Sequence, residues 1–569
     1  MLARFRDWQP QPASFWYGAA AIVLFVAACG IYAIALNRLY YAIQGPFFDS
    51  LSYLNALADV RSTVSAEGLL AALRRALELE TVVLPWVAGA LTAPFTPLTR
   101  SFGTWFQVVA LLVLGLSLYR YFVLIRGLPV VEAVIYALPF LAFQTVFHAN
   151  GGLSDFRMDL LLYTFCGIFA VWLLTALETG SRGAWIACGL ALGLGSLCRA
   201  TMPVYVALMF GPLLAAGLMR HQSRGNAARG LFWITAGFGL VAGVPYALKF
   251  EALYYYYAVW NIDANMKLPW SESRMHLFHV PWHVGWPLLA VLALSLAFSL
   301  FARRGRKPDV ATVWMALAAP LFLMMRGAGP NPFVSMPAVF GVLMFGLLPW
   351  RQGPPGLKRW PQVALCTALL LAIASNAYTG IARHREENLQ AARMEGYREL
   401  IRLLETDAME QQATTAAYAA PFIGRFHVRA LQNVMLYDAG WQPERQGARS
   451  PRGVWMVHHQ DYLFAMPVRA GWEKDVPGNT SEEKLDFLVQ LAGDRIDYLI
   501  VPVETSLEFM EKYWANQFIH GYTREFIRRV LGTGRFRPLG GLVVLSPQET
   551  VQVYVQRGVR HTPVPGAGA

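Results

Sequence analysis

The sequence predicts a polytopic α-helical membrane protein that carries a C-terminal soluble α/β domain. Three observations predict it. The 569 residues are 56% hydrophobic and only 15% charged, against about 25% charged in an average soluble chain. Apolar runs of membrane-crossing length fill the first two-thirds. From about Ile381 the composition turns polar.

About eleven transmembrane helices are expected, near 15–37, 103–125, 129–147, 159–177, 184–199, 202–219, 231–249, 284–302, 311–326, 332–349 and 361–380. Each approaches the roughly 20 apolar residues needed to cross a bilayer. The first could pass for a signal peptide, and Val26–Cys29 for a lipoprotein processing site. Its apolar run continues to Leu36, so an uncleaved helix is expected. The fifth is short and thinned by Gly189, Gly193 and Gly195, and could form a hairpin with the sixth.

Orientation follows from the basic residues. The net charge of +12 invites a nucleic-acid reading, but the charge is confined mainly to short loops between spans, so no nucleic-acid partner is expected. Arg4 and Arg6, Arg120 and Arg126, Arg182, Arg220 to Arg229, Arg303 to Lys307, and Arg351 to Arg359 mark alternate loops. By the positive-inside rule these are cytoplasmic. The expected location is a bacterial inner membrane, with the N-terminus cytoplasmic and the C-terminal domain periplasmic or extracellular. Membrane domain 1–380 then presents a long outer loop, 38–102. Residues 66–78 there read as an interfacial helix, with Leu69, Leu70, Leu73 and Leu77 on one face. Residues 50–60 read as a second.

Domain 381–569 opens with a charged helix. Short apolar runs at 415–420, 454–457, 498–503 and 542–545 alternate with helix-like stretches 482–492 and 507–518, the pattern of a small α/β domain. It lacks nucleotide-binding glycine motifs. The five cysteines all lie in or beside apolar spans, with no CxxC and no zinc spacing.

Acids are scarce in the spans and fall at outer ends. Asp49 follows Gly45-Pro46, where a helix should break. A carboxylate there could serve as general base on a hydroxyl, or simply cap the next helix. Asp155 and Asp159 stand four apart at the entry to the fourth span. On a helix they would share a face, with Arg157 turned away. Arg199 and Arg326 end spans that rise outward, against the charge rule. Their guanidinium forks suit a phosphate, although snorkelling would also place them there. Lys267, in outer loop 250–283, is a weaker candidate of the same kind. Tyr254 to Tyr257 and Trp260 read as an interfacial belt. His276, His279 and His283 suggest a metal comb, but Pro281 should disrupt a common face; His458, His459 and Asp461 are no stronger.

This ordered layout resembles the GT-C glycosyltransferases, which include protein O-mannosyltransferases and bacterial lipid A aminoarabinose transferases. The resemblance covers roughly the first 350 residues. It rests on Phe47-Phe48-Asp49-Ser50 after the first span, interfacial helices, Ser154 to Asp159 after the third, the Gly-rich hairpin Gly193 to Pro203, and Arg326 to Pro337. Two departures stand out: Ser50 replaces a second acid, and Asn331-Pro332-Phe333 stands where an Arg-Tyr pair is common. The resemblance implies inverting transfer of a sugar from a polyprenyl-phosphate donor to an acceptor hydroxyl at the outer face. Asp49 would be the base, with Asp155 or Asp159 orienting groups. Arg199, Arg326 and Lys267 would hold phosphate beside Arg157. Membrane lipids and an unidentified acceptor are the implied partners. No cofactor and no metal are expected, a divalent cation between such acids being the less favoured alternative. The rival readings are a lipid transporter or flippase, which would show inverted repeats and mid-span acids, and a non-catalytic membrane scaffold.

Overall fold

A computed structural model describes residues 13–40, 48–79, 82–219, 224–254, 273–302, 310–326, 332–347, 359–388, 394–410, 416–419, 428–444, 447–450, 455–457, 477–506, 517–547 and 549–556. It forms two compact units. The first comprises residues 1–36, 76–88 and 101–384; the second comprises 37–75, 89–100 and 385–569.

The first unit is an apolar helical assembly. Among the described residues five helices are long and apolar enough to cross a membrane: Ala13–Leu39, Ser101–Ile125, Met158–Thr179, Gly225–Leu248 and Pro361–Glu386. A bent pair, Met275–Val284 with Trp286–Ala297, makes a sixth if counted as one span. Five further apolar helices are of 10–17 residues. The chain is a multi-pass membrane protein; among the described residues length and composition support five or six crossings, where about eleven were expected.

Helix Met158–Thr179 is apolar on every side, and 83% of its most apolar window is buried. It stops at Gly180, whose φ of +69° is the left-handed cap that only glycine adopts readily. Helix Arg182–Cys198 then returns against it. Its glycines, which weakened the span in sequence, permit close packing on helix Arg224–Phe238. A Cβ on Gly189 would stand 2.3 Å from the Ile234 carbonyl oxygen.

Two expected spans end differently. Helix Val130–Leu141 stops before a 3₁₀ turn, Gln144–Phe147, where the sequence suggested a helix to 147. Before the eighth span, helix Met275–Val284 continues through Pro281 and breaks instead at Gly285, φ +90°, with a bend of 94°.

In the second unit a seven-stranded sheet is ordered β2-β3-β4-β1-β5-β7-β6. The strands are β1 Ala416–Ala419, β2 Gln442–Glu444, β3 Gly447–Arg449, β4 Trp455–Val457, β5 Tyr498–Pro502, β6 Phe536–Ser546 and β7 Glu549–Gln556. β4, β1 and β5 run parallel, and the other pairs are antiparallel. Strand β5 is buried throughout because its alternate side chains enter two cores. Tyr498 and Ile500 meet Leu400, Leu404 and Val434. Leu499 and Val501 meet Leu488, Phe526 and Val530. Sequence patterning found β1, β4, β5 and part of β6 but missed β2, β3 and β7.

Helix Phe48–Glu67 belongs to this unit. Leu51 and Ala58 are buried in the first of those cores, so that face is not presented to lipid as the interfacial reading expected. Leu70, on helix Leu69–Glu78, is 83% exposed.

Candidate active site

The loop between helices Val130–Leu141 and Met158–Thr179 carries the central acids, and its residues from Ala142 to Arg157 are buried apart from Asn150. A buried loop must satisfy its own backbone. The Leu153 amide donates to the Val146 carbonyl at 3.0 Å, and the Ser154 hydroxyl donates to the His148 carbonyl at 3.0 Å. Gln107, from helix Ser101–Arg120, donates its amide to the Asp155 and Arg157 carbonyls at 3.0 and 3.1 Å. Phe156 fills the space over Gly103, where a Cβ would stand 2.3 Å from its ring.

Asp155 is fully buried. Its Oδ2 accepts the Gly151 amide at 2.7 Å and lies 2.9 Å from Arg157 Nε. The guanidinium of Arg157 lies over the Phe333 ring, 4.9 Å from its centroid. Asp159, in the first turn of helix Met158–Thr179, has its Oδ1 3.2 Å from Arg199 Nη2. The helix dipole favours an acid there as well.

This corrects the expected geometry. The helix starts at Met158, and Arg157 takes the N-cap position without a side-chain cap bond. Asp155 therefore stands outside the helix. The two acids do not share a helical face, and Arg157 turns toward Asp155 rather than away. Each acid is matched with an arginine.

Arg326 ends helix Val310–Arg326, and its Nη2 is buried with no hydrogen-bond partner among the described residues. Asp49 is the second residue of helix Phe48–Glu67, inside the first turn rather than before it. Its side chain lies outside the described residues, as do Lys267, Tyr255 to Tyr257, Trp260, His458, His459 and Asp461.

Several polar residues escaped sequence reasoning. Lys249 is buried, and its ammonium donates to the Leu79 carbonyl. A lysine closing an apolar run was the available signal. His283, expected only as part of a metal comb, is fully buried between Thr145 and Pro332. His148 packs against Trp282 with tilted rings, centroids 4.9 Å apart. Burial, then the nearby charge of Arg383, pushes the His148 imidazole well below its ordinary pKa. His276, His279 and His283 do lie on one continuous helix, contrary to the expectation from Pro281. Pro281 removes one amide donor without ending the helix. Among the described residues no group of three His, Cys, Asp or Glu could hold a metal ion.

No family model matches the sequence, and no curated protein does. Solved structures do. ArnT from Cupriavidus metallidurans bound to undecaprenyl phosphate is 10% identical with a TM-score of 0.57, covering 94% of this chain and 98% of that one. The same protein in the apo state gives 10% identity and a TM-score of 0.54 over the same shares. An Archaeoglobus fulgidus oligosaccharyltransferase is 11% identical at a TM-score of 0.49, covering 95% of this chain and 74% of that chain. The ArnT likeness shows the fold over nearly the whole chain.

Proposed function

We propose that this protein is an inverting glycosyltransferase that moves a sugar from a polyprenyl-phosphate donor to an acceptor hydroxyl at the outer face of a bacterial inner membrane. The observation that carries the reading is the full-length likeness to ArnT, a protein seen with undecaprenyl phosphate bound. The buried Asp–Arg pairs support it, because charged groups kept inside an apolar helical assembly are costly unless they serve a site.

In the proposed step the acceptor oxygen attacks the anomeric carbon while its proton passes to the Asp49 carboxylate. The bond from that carbon to the phosphate oxygen breaks, and the phosphate leaves with the electron pair. Asp155 and Asp159 are already matched to Arg157 and Arg199, so they are assigned to positioning and Asp49 to the proton. Arg199, Arg326 and Lys267 supply the charge that stabilises the leaving phosphate; cationic side chains, rather than a divalent ion, are assigned that task. The break at Gly285 is a feature that transporters also use, but His283, not an acid, flanks it.

The test is transfer by purified full-length protein with labelled polyprenyl-phosphate sugars, comparing wild type with Asp49→Asn. Loss of about 100-fold or more in a folded variant is expected, the usual scale for a general base. Unchanged transfer would remove Asp49 from the step. Transfer from no donor, with acceptors supplied as whole envelope lipid and glycan, would favour transport.

A further inference from the structure

Two chain breaks meet inside the first unit. One follows Leu141 and the other follows Val284, and each frees carbonyls that lipid cannot satisfy. Asn376, from helix Arg359–Asn388, donates its amide to both, to Val284 O at 3.1 Å and to Ala142 O at 3.5 Å. Beside it stands His283. Its Nδ1 is 2.8 Å from the Thr145 hydroxyl, and its Nε2 is 2.8 Å from the Pro332 carbonyl. A neutral imidazole meets both needs: Nε2–H donates to Pro332, and Nδ1 accepts from Thr145. A buried cation there would lack that match.

These two bonds join separate parts of the site. Thr145 opens the loop that carries Asp155. Pro332 begins the 3₁₀ turn Pro332–Ser335, whose Phe333 underlies Arg157. Phe333 is 3% exposed and also meets the His283 ring, centroids 6.2 Å apart. The chain of contact therefore runs from His283 through Pro332 and Phe333 to Arg157 and then Asp155.

We infer that His283 is a positioning residue: its imidazole braces the 332–335 turn against the acidic loop, which keeps Phe333 beneath Arg157 and Arg157 on Asp155. The consequence for turnover rests on the transferase reading, whereas the brace rests on geometry alone.

Hydrogen exchange and transfer kinetics on the full-length protein in lipid nanodiscs test it, with His283→Phe and His283→Gln. The phenylalanine variant keeps the packing and loses both bonds. It is expected to speed exchange in both 144–157 and 332–335, leave helix Met158–Thr179 protected, and lower kcat about 10- to 100-fold with little change in donor KM. Glutamine can still donate to Pro332. It is expected to restore protection of 332–335 and part of kcat. Exchange unchanged in either segment of the phenylalanine variant overturns the brace, as does a glutamine variant no better than phenylalanine. If wild type transfers no sugar, the transferase reading fails while the exchange result still decides the brace.

Discussion

Arg199 Nη2 lies 3.2 Å from Asp159 Oδ1, and the two residues close the open end of a helical hairpin. Asp159 starts helix Met158–Thr179, and Arg199 follows the last turn of helix Arg182–Cys198. The pair is unequal: the side chains are 3% and 20% exposed for Asp159 and Arg199. Removing the arginine strands a buried carboxylate, while removing the acid leaves a guanidinium that is partly exposed. Arg199→Gln should therefore cost about 3 kcal/mol and Asp159→Asn about 1 kcal/mol. The double variant should recover part of the loss. Thermal unfolding of the four proteins in one detergent gives the coupling, and equal single-variant costs would contradict the asymmetry.

Gly151 is the backbone donor to Asp155, and its conformation leaves no room for a side chain. Its φ is +78°, and a Cβ would stand 2.1 Å from Phe333 Cε1. Gly180 offers the comparison, with φ +69° but its nearest neighbour at 3.7 Å. Gly180→Ala should cost about 1 kcal/mol through backbone strain alone and leave transfer unchanged. Gly151→Ala adds the displacement of Phe333, so about 2–4 kcal/mol and a loss of transfer are expected. Matching losses at the two positions would show that strain, not the Phe333 contact, governs.

How much of this was readable beforehand depends on the kind of interaction. The apolar runs announced a multi-pass protein, and the order of acids and arginines pointed to the fold. Asp155 and Asp159 were found by their rarity in an apolar setting. Their partners were not, because an error of a few residues in a helix start changes which side chains meet. Beginning the helix before Asp155 aligned the two acids; the actual start at Met158 separates them and brings Arg157 back to Asp155. Proline and glycine misled in opposite directions: Pro281 is absorbed in a helix that Gly285 then ends. His283 stood out only as one tooth of a metal comb; its actual partners, a hydroxyl and a carbonyl distant in sequence, left no pattern to read.

In the second unit a surface network offers a pH test. Arg529 meets Glu525, Asp486 and Glu482 at 2.7, 2.7 and 2.9 Å, joining helices Ser481–Arg495 and Gln517–Gly532. Arg528, then Arg529, lowers the Glu525 carboxyl from 4.5 to about 2. A depressed acid contributes stability that is complete above its unfolded value and is lost as pH falls through the folded one. The two helices should therefore lose exchange protection between pH 4.5 and about 2. The groups are exposed, so high salt should shrink the effect. Glu525→Gln should flatten the pH dependence; an unaltered profile would assign it to other acids.

Helix Phe48–Glu67, which carries Asp49 in its first turn, is held to the C-terminal fold by amides. Asn55 Nδ2 donates to Gln432 Oε1 at 3.2 Å, and Asn433 Nδ2 donates to Asn55 Oδ1 at 3.0 Å. Arg100 Nε donates to Asn433 Oδ1 at 2.7 Å, and the Tyr437 hydroxyl donates to the Leu54 carbonyl at 2.8 Å. Asn55 is buried, so Asn55→Leu removes the donor to Gln432 Oε1 and the acceptor of the Asn433 amide and should cost about 2–4 kcal/mol. Because Asn55 and Asp49 share one helix, loosening this anchor should also lower kcat without touching a donor contact. Tyr437→Phe removes a peripheral bond of the same helix and should cost about 1 kcal/mol with little loss of turnover. If Asn55→Leu transferred sugar at the wild-type rate, the C-terminal domain's hold on this helix would be structural only, and Asp49 would not depend on it.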